Sequence, residues 1–234
     1  MNKIFMGWDP RETLAYDVAA NSILSRTKSD THITPLKLSE LKEIVYRPIK
    51  WRGTQMWCTI SESPQTTEFS ISRFAVPFLT KGWAVFCDCD IVCYEDIQKL
   101  FDLRDEKYAV QVVKHVHESG ADIHMVDQAM TYYKRKNWSS VILWNCDHPG
   151  NKNLTLEALN TWPGRDLHAF KWLKDEEIGE LPNEWNYLVD VNEPRDFSEI
   201  KLAHFTMGGP WLPGWAPVES DKEWEKELKR FIKN

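Results

Sequence analysis

Two aspartates follow an apolar run in Trp83-Ala84-Val85-Phe86-Cys87-Asp88-Cys89-Asp90. Alternation along an extended chain turns Asp88 and Asp90 to one side and Cys87 and Cys89 to the other, so the cysteines belong to the core and the carboxylates form a pair. Two like charges this close are unfavourable without a cation between them, and hard oxygen ligands favour Mg2+ or Mn2+ that also holds a phosphate group. Far down the chain, Leu202-Ala203-His204-Phe205-Thr206-Met207-Gly208-Gly209-Pro210-Trp211 ends another apolar run on a histidine. A neutral imidazole suits a third ligand position beside two carboxylates, and Gly208 and Gly209 let backbone approach a ligand without side-chain obstruction. Without a ligand, the same groups read as a solvated strand end and a packed structural histidine.

Other residues extend this set. Lys114-His115 closes the apolar run 108–113, at the end of a strand where an α/β sheet binds its ligands. Arg73, a single cation in an apolar stretch, reads as an anion contact or as a buried partner of Glu68 or Asp17. Twelve tryptophans are more than surface loops can carry, so some are core. Trp185, Trp211 and Trp215 lie in loop-like sequence, where an indole face could stack on a sugar ring.

The positioning elements are legible in the hydrophobic pattern. Residues 4–8 form an apolar run ending at a turn, and 12–25 carry Leu14, Val18, Ile23 and Leu24 at roughly helical spacing, a βα unit. Residues 32–38 read as a second strand, 41–63 as an irregular loop, 68–80 as one helix and Trp83–Cys87 as a buried strand. A short helix at 96–101 precedes strands at 108–113 and 140–145. A helix at 154–160, a strand at 202–205 and an amphipathic helix at 221–232 complete the chain. Strands separated by helices at this spacing imply an α/β sheet, mostly parallel at its start, with ligands at the carboxyl ends of its strands.

Composition narrows the classes. The chain is 42% hydrophobic and 27% charged, which excludes collagen-like, low-complexity and broadly disordered states. Net charge is −6 and the longest basic run is Lys134-Arg135-Lys136, so nucleic-acid binding through a broad basic face is not expected. No apolar stretch approaches the ~20 residues of a membrane helix, and Met1-Asn2-Lys3 leads too soon into Asp9-Pro10-Arg11-Glu12 for a secretory signal, so a cytoplasmic location is expected. Five cysteines, three of them crowded at 87, 89 and 93, suit a reducing compartment and lack the second pair of a zinc site. With no repeat and no linker, one domain spanning 1–234 is expected.

Together, the aspartate pair and the histidine segment resemble the metal-dependent sugar-nucleotide transferases of the GT-A fold, specifically the family-eight kind that includes glycogenin and bacterial lipopolysaccharide galactosyltransferases. In that family an N-terminal strand carries the nucleotide base, an Arg on the helix before the aspartate pair contacts the donor, and a late His-x-x-Gly-x-x-Lys-Pro-Trp motif supplies a metal ligand and a diphosphate contact. Residues 5–11, Arg73, Asp88 with Asp90, and His204…Pro210-Trp211 occupy those places in the same order. Leu181-Pro182-Asn183-Glu184-Trp185-Asn186 resembles the family's Leu-Pro…Asn stretch. More closely still, Gly7-Trp8-Asp9-Pro10-Arg11-Glu12, Thr67-Glu68-Phe69-Ser70, Arg135-Lys136-Asn137-Trp138-Ser139-Ser140 and His204…Trp211 look like a group of bacterial and phage-type proteins labelled glycosyltransferases.

The resemblance implies a Rossmann-like nucleotide-diphospho-sugar transferase domain with a mixed, mainly parallel sheet flanked by helices. It implies transfer from a nucleotide-diphosphate sugar, foremost a UDP-sugar, to a carbohydrate or other hydroxyl acceptor with retention, using Mn2+ or Mg2+. Asp88, Asp90 and His204 would hold the metal. Trp8, Asp9, Arg11, Arg73, Asp88, Gly208 and Gly209 would contact the donor, and Trp185, Asn186 and Trp211 the acceptor. Lys114 or His115 would bond the donor sugar. Gly209 stands where the family has Lys, which passes the diphosphate contact to Arg73, Lys114 or backbone amides. Asp127-Gln128 copies the family's Asp-Gln pair but precedes the 140–145 strand instead of following it; Asp166, with His168, is the acid in the right order. Two alternatives use the same residues: a haloacid-dehalogenase-type phosphohydrolase with Asp88 as nucleophile and Asp90 as acid/base, and a non-catalytic, tryptophan-rich carbohydrate-binding protein.

Overall fold

A computed structural model describes residues 1–116 and 135–233; Asp127-Gln128 and Lys134 lie outside the described residues. The chain opens β1 (Asn2–Gly7), α1 (Thr13–Leu24), β2 (Thr31–Leu36), the expected βαβ start. Residues 41–63, expected as an irregular loop, instead contain β3 (Ile49–Arg52) and β4 (Gln55–Cys58), which pair with β5 (Ser63–Gln65) as an antiparallel sheet. Arg52 opposes Gln55 across the two-residue turn Gly53-Thr54, and Gly53 takes the positive φ of 62° that such hairpin turns require. The alternating charged residues of Lys50-Trp51-Arg52 hide this hairpin in a hydropathy reading.

The helix expected over 68–80 is broken into α2 (Phe69–Ser72), a 3-10 turn at Arg73–Ala75, and α3 (Val76–Leu79). Pro77 has no N–H to give the Arg73 carbonyl, so the α-helical ladder cannot run through. There follow β6 (Trp83–Cys87), β7 (Ile91–Cys93), α4 (Gln98–Phe101), β8 (Val110–Val112) and β9 (Val141–Asn145). The second half holds α5 (Leu156–Thr161), α6 (Gly164–His168), β10 (Ile178–Glu180), β11 (Tyr187–Leu188), β12 (Leu202–His204) and α7 (Asp221–Lys233).

The central sheet has the order β10-β8-β9-β6-β1-β2. β1 pairs in parallel with β2 and β6, and β8 with β10; β9 runs against both neighbours. Ile4, Met6, Val85, Phe86, Ile142, Leu143 and Trp144 fill the core around these strands, each fully removed from solvent. That is why these strands read as continuous apolar runs and not as alternating ones. A second sheet, β11-β12-β7, and helices α1 and α7 enclose a smaller core of Val18, Val92, Tyr187, Phe205, Trp211 and Trp224. Arg26, just past α1, fixes α7 through Glu227 at 2.7 Å. Among the described residues no helix is long and apolar enough to cross a membrane.

Candidate functional site

β6 ends at Cys87 and β7 starts at Ile91, so Asp88-Cys89-Asp90 forms a bend between two strands. The Asp88 amide donates to the Ser140 carbonyl at 2.9 Å, and the Asp90 carbonyl accepts from the Phe205 amide at 2.9 Å. These bonds turn both carboxylates to one cleft while Cys87 and Cys89 pack into the core. The aspartates share a side, as expected, but a pinned bend achieves this and strand alternation does not. β7 pairs antiparallel with β12 so that His204 opposes Ile91, the residue after Asp90. One long-range register thus carries the histidine to the aspartates across 114 residues of sequence.

Ligand atoms of Asp88, Asp90 and His204 lie within 4.8 Å of one another. His204 Nε2 is 3.2 Å from Asp90 Oδ1 and 3.9 Å from Asp88 Oδ2. Behind it, Nδ1 is 3.2 Å from Asn186 Oδ1, while the Asn186 amide donates to Ser140 Oγ at 2.9 Å and the Asn137 carbonyl at 3.2 Å. Because Asn186 spends its N–H groups there, its oxygen faces the imidazole, which assigns a proton to Nδ1 and aims Nε2 at the carboxylates. Burial pushes the Asp88 carboxyl up to about 6, with Arg73 opposing and Asp90 reinforcing the shift. Burial would lower the His204 pKa, but the charge of Asp90 and its hydrogen bond lift it above the ordinary value. Two hard carboxylates and one oriented imidazole nitrogen are a donor set that fits Mn2+ or Mg2+. Asn186→Ala is expected to weaken Mn2+ affinity about 10- to 100-fold by releasing the imidazole, read by titration calorimetry. Unchanged affinity would leave Asn186 a packing residue.

Arg73 stands beside this cluster, pairing with Asp88 and not with Glu68 or Asp17. Its Nη1 is 2.9 Å from Asp88 Oδ1 and donates to the Ser139 carbonyl at 2.8 Å, with the guanidinium over Phe86 at 5.0 Å. The 3-10 turn that interrupts the helix presents Arg73 here. Next to Arg73 on the cleft wall, His168 Nδ1 meets Ser139 Oγ at 2.7 Å. Burial, then the nearby Arg73 and Arg47, hold this histidine well below its ordinary pKa, so it is neutral. Arg47 anchors the small sheet to the rim, donating to the Leu159 and Trp162 carbonyls and to Cys58 Sγ.

Several expected contacts fall elsewhere. Asp166 is not a lining residue of the cleft; its carboxylate is held by Lys171 at 2.7 Å. Lys114 and His115 do not line it among the described residues either: Lys114 Nζ lies 5.8 Å over Trp138, and the His115 carbonyl accepts from Trp138 Nε1. Trp8 lies beneath Lys37 Nζ at 5.4 Å. Asp9 is fully buried, and its two oxygens take hydrogen bonds from the Arg11 amide and guanidinium and from the Glu68 amide. Arg11 also donates to the Thr66 carbonyl. Asp9 and Arg11 therefore clamp the cleft-lining segment before α2 to the end of β1.

The expected acceptor contacts need correction. Trp185 and Asn186 are wholly buried, and Trp211 packs on Trp224 with its Nε1 on Glu12, so none of the three offers an open face. Gly208 and Gly209 do not line the cleft. Gly208 has φ 104° beneath Leu212 and Trp215, and a Cβ on Gly209 would run into the Trp211 ring. Their smallness serves internal packing, not the approach of a ligand.

Glu12 does not line the cleft, but it is a buried acid linked to it by the charge of Asp90. It is 3% exposed at the start of α1 and accepts from Trp211 Nε1 at 3.2 Å. Burial first, then the charges of Asp90 and Asp9, push its pKa up to about 8. Its place as the helix-start acid of Asp9-Pro10-Arg11-Glu12 was visible, but its burial was not. A carboxyl raised on folding stabilises fully below the unfolded value near 4.5 and loses that contribution as pH rises through about 8. In chelator, the melting temperature of the parent is expected to fall across this window and that of Glu12→Gln to stay flatter. Parallel pH profiles would refute the assignment.

No family model matches the chain. Among solved structures it is similar to the WbbM bifunctional glycosyltransferase (14% identity, TM-score 0.63, 99% of this chain and 51% of that one). It is also similar to the glycosyltransferase GlyE of Streptococcus pneumoniae TIGR4 (14%, 0.60, 100% and 63%). A third likeness is to galactosyltransferase LgtC, solved with donor and acceptor sugar analogs (11%, 0.54, 97% and 95%). The chain spans about half the length of WbbM and less than two thirds of GlyE. The shared architecture is the GT-A fold, an α/β fold with a central, mostly parallel sheet. Protein CDI of Arabidopsis thaliana is 41% identical over 236 residues, covering 99% of this chain and 87% of the plant protein. At that identity over nearly its whole length, the chain belongs to the family of Arabidopsis thaliana Protein CDI.

Proposed function

We propose that this protein is a metal-dependent glycosyltransferase of the family-eight kind, acting as a single GT-A domain on a UDP-sugar and passing the sugar with retention to a carbohydrate or other hydroxyl acceptor. The observation that carries the reading is the convergence of Asp88, Asp90 and His204 within 4.8 Å in a cleft that also holds Arg73. Asp88, Asp90 and His204 would hold the ion. When bound, Mn2+ or Mg2+ supplies positive charge beside the diphosphate leaving group. Arg73 adds a fixed cation at the same wall, where it has no conformational freedom left to lose. Neutral His168 and Ser139, bonded to each other beside Arg73, add polar lining without a charge that competes for the cation. A net charge of −6 argues against a nucleic-acid partner. Five free, buried cysteines support a reducing, cytoplasmic setting.

The phosphohydrolase alternative needs Asp88 as a nucleophile, yet its carboxylate is paired with Arg73 and adjoins His204. The deciding experiment combines thermal shift with product mass analysis. UDP is expected to raise the melting temperature only when Mn2+ is present, and UDP-sugar to yield UDP. UDP binding indifferent to Mn2+, or rapid phosphate release from simple phosphomonoesters, would overturn the reading.

A further inference from the structure

The small sheet at the cleft rim bears an aromatic group that the metal and donor contacts leave unused. Its register opposes Trp51 to Met56 and Met56 to Gln65, with Ile49, Cys58 and Ser63 as the neighbouring row. Residues directly opposed across antiparallel strands share a face. Cys58, Ser63 and Gln65 line the cleft and Met56 is buried, so this is the sheet's inner face. Trp51 is the outer end of a row that starts in the cleft. Two strand spacings place it ~10 Å from Gln65.

Trp51 is 56% exposed, whereas every other tryptophan of the chain is buried or half-buried. On the opposite face of the sheet, Trp57 is covered by the Arg52 guanidinium at 3.7 Å. The flanking Lys50, Arg52, Gly53 and Thr54 are polar or small and exposed, so the surface is one ring wide. That falls far short of the ~1,000 Å² patch a stable protein partner needs. A pyranose ring presents a C–H face of matching size, and Ser63, Thr66 and Gln65 supply polar groups on the path toward the cleft.

We infer that Trp51 is the stacking platform of a carbohydrate acceptor, holding a sugar one row outside the site of transfer. This rests on the transferase reading above, which the acceptor role presupposes. The test uses the full chain on an immobilised glycan array, comparing the parent with W51A and W51F. In parallel, UDP binding with Mn2+ is followed by thermal shift. The parent is expected to be retained by at least one glycan, W51A to lose that retention on the order of 10-fold or more, and W51F to keep most of it. UDP binding should be the same for all three proteins. Glycan retention through Trp51 with no Mn2+-dependent UDP binding would support the sugar platform and sink the transferase reading. Equal retention of parent and W51A on every glycan, or a parent that no glycan retains, would overturn the platform.

Discussion

Asp90→Asn is expected to lower Mn2+-dependent turnover of sugar nucleotide at least ~100-fold, the scale set by losing one fixed electrostatic contact to the developing charge. The fold should survive. Asp90 shares a buried site with Asp88 and acts electrostatically on Glu12, so removing its charge relieves repulsion that offsets the lost attraction to His204. Melting in chelator should therefore be little changed for the variant. The parent should gain on the order of 2.7 kcal/mol when Mn2+ is raised to ~100 times its dissociation constant, and the variant should not. Equal Mn2+ stabilisation of both proteins, or activity surviving full chelation, would remove Asp90 from the site.

Arg73→Met is expected to cost both stability and activity. Arg73 is 6% exposed and holds the Asp88 carboxylate and the Ser139 carbonyl together. Breaking a buried pair from one side leaves the other charge uncompensated, at about 3–5 kcal/mol. For a domain of this size that lowers the melting temperature by roughly 10 °C. Adding Asp88→Asn to the variant should restore most of the stability, because the orphaned charge is then gone. The loss should also shrink below a pH of about 6, where Asp88 takes up a proton and needs no counter-charge. Activity should stay low in both variants, since the donor would lose a cation in each. A single variant as stable as the parent, or a double variant no better than the single, would refute the pairing.

The parts of the fold that are local in sequence were legible. The βαβ start, strand β6 and the α7 stripe follow from periodicity over a few residues, which is a property of the chain itself, whereas Asp88 and Asp90 share a side through a bend pinned by Ser140 and Phe205. Two elements escaped for local reasons. The β3–β4 hairpin carries charged residues on its outer face, and Pro77 splits a helix that the apolar pattern alone would continue.

The tertiary structure decided what depends on partners far away. Trp185 and Trp211, in loop-like sequence, are buried, while Trp51, in a strand, is exposed. Indole burial depends on what another element lays over the ring. Glu12 joins the charge environment of Asp90 only because α1 packs on β7. Asn186 became the support of His204 once β11 paired with β12. The sequence by itself determined that two carboxylates and a histidine end apolar strands. Their meeting was decided by the β7–β12 register, since backbone hydrogen bonding matches any two extended segments and only the burial of whole faces selects one pairing.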